Sequence, residues 1–176
     1  QGDRRRKDYD MNDILLRATD IKKSFHREGS PLEILKGVSL ENLNLHRAQL
    51  ENLDLSNTSF KNTNLRGSFL YQAIMKECDL SSTNLVWADL RETNLSNSTL
   101  INCLAVSALF ENANLENANF EGANIEGANF RNANLRGANF KCVVGIEKAI
   151  FEKAIFDTET KWPEDFNIKE SGAEQK

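Results

Sequence analysis

The chain contains few residues of the kinds that build catalytic or metal-binding sites. Its 2 histidines, His26 and His46, have no cysteine or carboxylate cluster beside them at ligand spacing. Its 3 cysteines, Cys78, Cys103 and Cys142, show no C-x-x-C spacing, which argues against both a zinc site and a disulfide framework. We therefore predict no catalytic residue, no metal site and no cofactor, and we do not expect an enzyme.

Long apolar segments and strong charge of one sign are missing as well. No apolar run reaches the roughly 18 residues that a membrane-spanning helix needs. The formal net charge is −4 at pH 7, and this acidic balance argues against binding to nucleic acid. The expected partner is another protein, or a second copy of the chain in a dimer, rather than a small-molecule substrate.

A strict repeat of five residues fills the centre of the chain. From Ala108 to Phe140 every fifth residue is Leu, Phe or Ile, and Ala stands two places before it. Asn lies between the two in every repeat except at Leu109. A period of five fits neither the 3.6-residue period of a helix nor the alternation of a strand. It favours a stacked solenoid, in which each unit buries its apolar side against its neighbours.

The pattern resembles the pentapeptide-repeat family, whose consensus is A-(D/N)-L-x-x. The same frame extends back to Leu40, and its large position is interrupted only by the small Ala105. The ending DTETKWPEDF is similar to the closing segment of cyanobacterial members. The resemblance implies an all-β solenoid, a right-handed quadrilateral β-helix with one five per face and about five coils. Members of this kind bury the large and the small residue and turn the other three outward.

A coil of roughly 20 residues makes residues 20 apart vertical neighbours. Phe110 and Phe130 should then share one inner column, and Phe120 and Phe140 the opposite one. Outward Asn residues should form ladders, and residues of opposite charge should pair between coils. The expected ladders are Asn44, Asn64, Asn84 and Asn94, Asn114, Asn134; the expected ion pairs are Glu41 with Lys61, Arg91 and Arg131 with Glu111, Glu116 with Arg136, and Glu121 with Lys141.

The repeat frame divides the chain into five segments. We expect a disordered tail over 1–11, a short helical cap over 12–37 and the β-helix over 38–142. The frame breaks at Lys141–Gly145 and resumes one residue out of step, so 143–168 is predicted to be a shifted last coil with a lid. Trp162 and Phe166 are the expected lid residues, and 169–176 is predicted to be disordered.

A second resemblance concerns the N-terminal segment. The run ILLRATDIKKSF followed by PLEILKGVSL is similar to the opening strands of ABC-transporter ATPases. A GxxxxGK[ST] phosphate loop follows in that family but is absent here, so we discount the likeness and predict no ATP binding. Residues 12–25 stay open between a helix, which Ile14, Ala18, Ile21 and Phe25 would give one apolar face, and an extended segment.

Several apolar side chains stand at positions that should face solvent. Contiguous exposed apolar surface usually marks a contact site, and aromatic residues are favoured anchors there. An alternative for part of this set is a local bulge that turns Leu104 inward in place of Ala105. The candidate interaction patch consists of Phe69, Tyr71, Val86, Trp87, Leu104, Val106 and Leu109, and further outward apolar residues are Ile74 and Ile101.

Two functions follow from these features. The first is a non-enzymatic protein-interaction or scaffold module with an unidentified partner. The second comes from the family resemblance, since some members mimic DNA and inhibit type II topoisomerases such as DNA gyrase. A DNA-like rod of ~25 Å would need roughly 15 negative charges, whereas residues 38–142 carry 11 acidic against 8 basic residues. The compartment is left open between the cytoplasm and, if a signal segment was removed, the periplasm or thylakoid lumen.

Overall fold

The computed structural model describes residues 35–176. The tail predicted at 1–11 and nearly all of the cap predicted at 12–37 lie outside the described residues. In the described part, the chain winds through single-residue parallel β-bridges between residues 20 apart. Ser39 pairs with Ser59, and such pairs recur every five residues as far as Asn124 and Val144. The repeat of five therefore builds a β-helix with four faces, as the sequence predicts.

The four faces are numbered here by their bridging residues in the first coil. Consecutive faces meet at a two-residue corner, and the second corner residue has a positive φ, such as 57° at Arg47. The amide of Ala48 donates to the carbonyl of Leu45 at 3.0 Å and closes that corner. A positive φ at the third residue of such a turn favours Gly and Asn. Faces one to four carry Ser39, Asn44, Gln49 and Asp54.

The large residue and the small residue of each five point into the coil. Leu55, Phe60 and Leu65 have no exposed surface, and burial stays complete along this column as far as Phe140. Leu43 of the small column is 41% exposed in the first described coil, which has no described coil before it to cover it. Hydroxyl groups in the small column donate to backbone carbonyls of the adjacent coil or of their own turn. The hydroxyl of Thr83, for example, donates to the carbonyl oxygen of Phe60 at 2.7 Å.

Two inner columns of aromatic rings confirm the predicted stacking. The rings of Phe110 and Phe130 lie parallel with centroids 4.9 Å apart. On the opposite face, those of Phe120 and Phe140 stack at 5.0 Å. The two columns meet edge to face, with 5.8 Å between the centroids of Phe120 and Phe130. Because ring edges are positive and faces negative, this arrangement is electrostatically favourable as well as close-packed.

The regular coils end where extra residues enter the chain. A 3-10 helix, Ile146–Lys148, occupies a corner, and Asn129 then pairs with Ile150, 21 residues on. This is the predicted shift of one residue. A second extra residue, which is not predicted from the repeat, places Lys161 opposite Asn139. Trp162 consequently stacks on Phe140 at 5.0 Å and continues the aromatic column.

The C-terminal segment predicted to be disordered is part of the fold. A second 3-10 helix, Ile168–Glu170, precedes the short strand Glu174–Gln175. This strand pairs in parallel with the strand Ile155–Phe156 of the last coil. The prediction of a disordered 169–176 is therefore wrong, because the exposed edge of the last coil offers backbone groups with which the chain end pairs.

The expected side-chain ladders form only in part. The amide of Asn64 donates to Asn44 at 2.9 Å, and that of Asn134 donates to Asn114 at 3.1 Å. More regularly, each Asn or Asp accepts the backbone amide two residues later, as Asn84 does from Val86 at 3.1 Å. These polar residues mainly stabilise their own turn, a role that favours Asn and Asp in turns generally.

None of the five expected ion pairs between coils forms among the described residues. Arg91 instead turns back to Asp89, two residues earlier on the adjoining face, with 2.6 Å between Nη2 and Oδ2. Glu111 accepts the amide of Asn129 at 2.6 Å. Arg131 does pair between coils, but with Glu152 at 2.9 Å. Exposed pairs of this kind are nearly isoenergetic, so local geometry selects among them.

Candidate functional site

Four of the predicted patch residues lie together around one corner of the β-helix. Val86 and Trp87 form the corner between faces two and three, and Val106 occupies the same corner one coil later. Leu104 lies on the adjoining part of face two, between Asn84 and Asn124. The amide of Trp87 donates to the carbonyl of Val106 at 3.1 Å, so the two coils are directly joined here. We call Val86, Trp87, Leu104 and Val106 the corner patch.

Leu104 is an outward residue. It is 47% exposed, whereas the neighbouring Ala105 is fully buried. The alternative in which a bulge turns Leu104 inward is therefore wrong. The normal alternation of the repeat places a large apolar side chain on the surface and a small one in the core. An exposed Leu at this position contributes little to folding.

Trp87 has an unusual conformation as well as high exposure. It is 58% exposed, and its φ of 59° lies in the left-handed region. Most residues at this turn position are Asn or Gly, and the equivalent residues of the neighbouring coils are Gly67 and Ser107. Bulky side chains rarely adopt a positive φ because Cβ then crowds the backbone. Within the fold, the exposed ring gains a cation–π contact with Arg66, worth roughly 0.5–1 kcal/mol at an exposed site, which is less than the cost of the positive φ.

A positively charged group borders the corner patch on its N-terminal side. The guanidinium carbon of Arg66 lies 4.4 Å from the centroid of the Trp87 ring, a cation–π contact. Next to it is an open groove of about 520 Å³, whose floor includes Gly67. His46 contributes a ring nitrogen, Nδ1, that lies 2.8 Å from the carbonyl oxygen of Arg66. The groove is lined by Asn44, His46, Arg47, Asn64, Arg66, Gly67 and Trp87.

The remaining three predicted patch residues do not join the corner patch as one apolar surface. Phe69 and Leu109 lie on face three, but Asp89 is the bridging partner of both and stands between them. Hydrogen bonds from Arg91 lower the pKa of Asp89, so this position carries a negative charge. Tyr71 lies at the next corner, 5.7 Å from the guanidinium of Arg91. Desolvation, and next its hydrogen bond with Glu92, raise the pKa of Tyr71.

Reactive and metal-binding groups are sparse in residues 35–176. This part of the chain holds no cluster of three or more His, Cys, Asp or Glu side chains able to bind a metal ion. Cys78 and Cys103 are buried in the small inner column, and burial raises the pKa of each thiol to about 12. Cys142 is exposed. Over the same residues, no helix is long and apolar enough to span a membrane.

Comparison with known families agrees with this architecture. A model described as a pentapeptide repeat region matches residues 73–151, and a second, described as pentapeptide repeats in eight copies, matches residues 34–62. Together the two matches span more than half of the chain. The chain belongs to the pentapeptide repeat family. Its fold is accordingly the right-handed β-helix of pentapeptide repeat proteins. None of the proteins of curated function matches this chain significantly.

Solved structures of other pentapeptide repeat proteins are similar to this one. QnrB1, a plasmid-mediated fluoroquinolone resistance protein, aligns with a TM-score of 0.60 at 16% identity, over 81% of this chain and 86% of its own. This likeness shows the fold alone. A protein from the Arabidopsis thaliana thylakoid lumen is 28% identical over 54% of this chain, with a TM-score of 0.44. HetL from the cyanobacterium Nostoc is 22% identical over 79% of this chain and 81% of its own, with a TM-score of 0.38. The chain spans 63% of the thylakoid protein.

Proposed function

We propose that this pentapeptide repeat protein is a non-enzymatic protein-interaction module that binds its partner through the corner patch. The observation that carries the proposal is Trp87, which is 58% exposed in a left-handed conformation. A positive φ costs a bulky residue roughly 1–2 kcal/mol. Burial in the core does not offset this cost, since the ring faces solvent. Contact with a partner gives a physical reason for tryptophan here.

The surroundings of Trp87 support the same function. Leu104, Val86 and Val106 extend the apolar surface over two coils and one corner. The residues on either side along this corner, Arg66 and Glu126, are charged. An apolar centre with a polar and charged rim is the usual composition of a protein interface. Trp is among the residues that most often dominate binding energy at such a centre.

The proposal is tested by placing a photo-crosslinking amino acid at position 87. Adducts with another polypeptide should form at this position in extracts of the native host, and mass spectrometry should identify the attached chain. The matched control places the same amino acid at Glu77, which has a similar φ of 57° and is exposed at a different corner. Equal crosslinking at both positions, or none at position 87, would contradict the proposed function.

A second measurement separates binding from folding. Trp87→Asn replaces the ring with a residue that tolerates a positive φ, so we expect unchanged or slightly higher thermal stability together with lost partner binding. The comparison variant Glu77→Asn should retain binding. If Trp87→Asn destabilised the protein by more than about 2 kcal/mol, the ring would have a structural role and the interface argument would fail.

The second function raised by the sequence, a DNA mimic that binds a type II topoisomerase, has no equivalent support. Residues 38–142 carry a net charge of −3, from 11 acidic and 8 basic residues. A duplex of similar length, ~25 Å, carries roughly 15 negative charges. The likeness to QnrB1 at 16% identity extends only to the fold. If this protein, added in an amount equimolar to gyrase, changed the rate at which gyrase supercoils DNA, the DNA-mimic function would be favoured over the interaction module.

A further inference from the structure

We propose that the occupant of the corner patch is a second copy of this chain, bound side by side in antiparallel orientation. This inference rests on the proposed function of the patch and specifies its partner. The twofold axis would be perpendicular to the β-helix axis and would cross the corner between the coil of Trp87 and the coil of Val106. The order of charges along this one corner supports the antiparallel arrangement.

The charge along the corner between faces two and three changes from basic at its N-terminal end to acidic at its C-terminal end. Arg47 and Arg66 occupy it before the corner patch, and Glu126 and Glu147 follow the patch. Arg66 lies one coil before Val86, and Glu126 lies one coil after Val106, because bridges join residues 20 apart on the adjoining face. The basic and acidic ends are therefore equally far from the centre of the patch.

An antiparallel twofold arrangement makes this pattern self-complementary. Each Arg66 would face Glu126 of the other copy, and each Arg47 would approach Glu147, while Trp87 and Val86 pack against the other Val106. A parallel arrangement would instead place like charges opposite one another. In an isologous interface every contact occurs twice, and complementary charges fix its orientation and register.

The existing contacts of these charges are compatible with such a dimer. Arg66 already lies over the Trp87 ring, so its guanidinium is held beside the proposed axis. Glu126 pairs with Lys148 at 2.6 Å, but both side chains are largely exposed. Exposed pairs contribute little to stability, so Glu126 can also accept a guanidinium from the second copy. Glu147 lies next to Lys148 in the 3-10 helix and adds a second carboxylate.

The size of the surface predicts a reversible dimer. Five coils at ~4.8 Å spacing give a contact about 24 Å long. Two opposed convex corners can share only the strip along the corner, and about three residues at ~3.3 Å per residue give this strip a width of about 10 Å. The footprint is then roughly 240 Å² per copy, well below the ~800 Å² per partner of a standard interface, so the dimer is expected to be weak and transient. Dimerisation should therefore depend on protein concentration and weaken as salt screens the charges.

Charge reversal in mixed samples tests this arrangement. Sedimentation velocity should show a monomer–dimer equilibrium for the full chain. Arg66→Glu alone and Glu126→Arg alone should each raise the dissociation constant at least tenfold, because each variant creates two repulsive contacts. An equimolar mixture of the two variants should dimerise again, since both contacts are then attractive. Glu116→Arg, at another corner, makes the same charge change as Glu126→Arg and should leave the dimer intact.

The outcomes separate this inference from the proposed function. A full chain that stays monomeric at every concentration, or variants that fail to rescue each other while retaining native circular dichroism, would overturn the antiparallel dimer. Crosslinks from position 87 to a foreign protein in that case would leave the interaction function standing. Crosslinks from position 87 to residues near Val106 of a second copy would support the dimer. Absence of any adduct would contradict both.

Discussion

Removal of the Phe130 ring tests whether the coils support one another as a one-dimensional stack. Phe130 has no exposed surface and lies between two parallel rings, with centroid distances of 4.9 Å to Phe110 and 5.1 Å to Phe151. Edge contacts to Phe120 and Phe140 follow at 5.8 and 5.7 Å. Phe130→Ala removes all four contacts at once.

The expected cost is at the upper end of the range for buried rings, ~3–5 kcal/mol. Backbone hydrogen bonds hold the surrounding coils in place; the amide of Phe130, for example, donates to the carbonyl of Ile150 at 2.7 Å. The cavity left by the missing ring therefore cannot collapse readily. Phe60→Ala is the matched control. Phe60 is equally buried but has no ring contact among the described residues. The difference between the two variants should therefore reflect ring stacking, about 0.5–1.5 kcal/mol per pair.

Hydrogen exchange is the appropriate assay because unfolding of a solenoid need not be two-state. In Phe130→Ala, protection should fall most at the amides of Leu135 and Ile155 and least at Leu65. Each coil contacts only its neighbours, so damage should remain local and spread first towards the C-terminal end. An equal loss of protection at Leu65 and Leu135 would refute the stacking argument.

Three further predictions concern the same framework. Ala128→Leu should destabilise the protein by ~1–3 kcal/mol, measured by thermal denaturation, because the small inner column has no space for added methylenes; unchanged stability would contradict close packing there. In the native protein a thiol reagent should modify Cys142 alone, and all 3 cysteines only after unfolding; rapid modification of a second thiol would contradict the burial that raises the other two pKa values. The amide of Gly137 donates to Asp157 at 2.9 Å and lowers the pKa of that carboxyl. The stabilising contribution of the ionised Asp157 carboxylate is therefore fully present above pH 3.8, the ordinary pKa of an Asp side chain. This contribution is lost as the pH falls through the lowered pKa of Asp157. Gly137 exchange should accelerate in acid, and Asp157→Asn should abolish that pH dependence.

The repeat in the sequence determined the solenoid and its inner residues, and the resemblance to pentapeptide-repeat proteins supplied the four faces of each coil. A large residue every fifth position can be buried only if the chain turns a corner within each five, and Phe110, Phe120, Phe130 and Phe140 lie where that rule predicts. The outward position of Trp87 and Leu104 followed from the same frame. These features depend on local spacing repeated many times, so a single sequence contains enough information to place them.

Contacts that depend on competing partners were decided by the tertiary structure. The sequence predicted Arg91 opposite Glu111, but Arg91 pairs with Asp89, which lies two residues earlier on the adjoining face. The tail at 169–176 carries no repeat, yet it pairs with the last coil, whose unpaired backbone edge supplied a partner that no local pattern reveals.

The candidate site illustrates the same division. The sequence identified its residues as apolar side chains at positions that are normally polar. The structure reduces the seven candidates to the four residues of the corner patch, because Asp89 lies between Phe69 and Leu109. The left-handed backbone of Trp87 and the cation–π contact with Arg66 also required coordinates. Periodicity determines which way a side chain faces; which outward side chains form one surface depends on the three-dimensional arrangement of residues 20 or more positions apart.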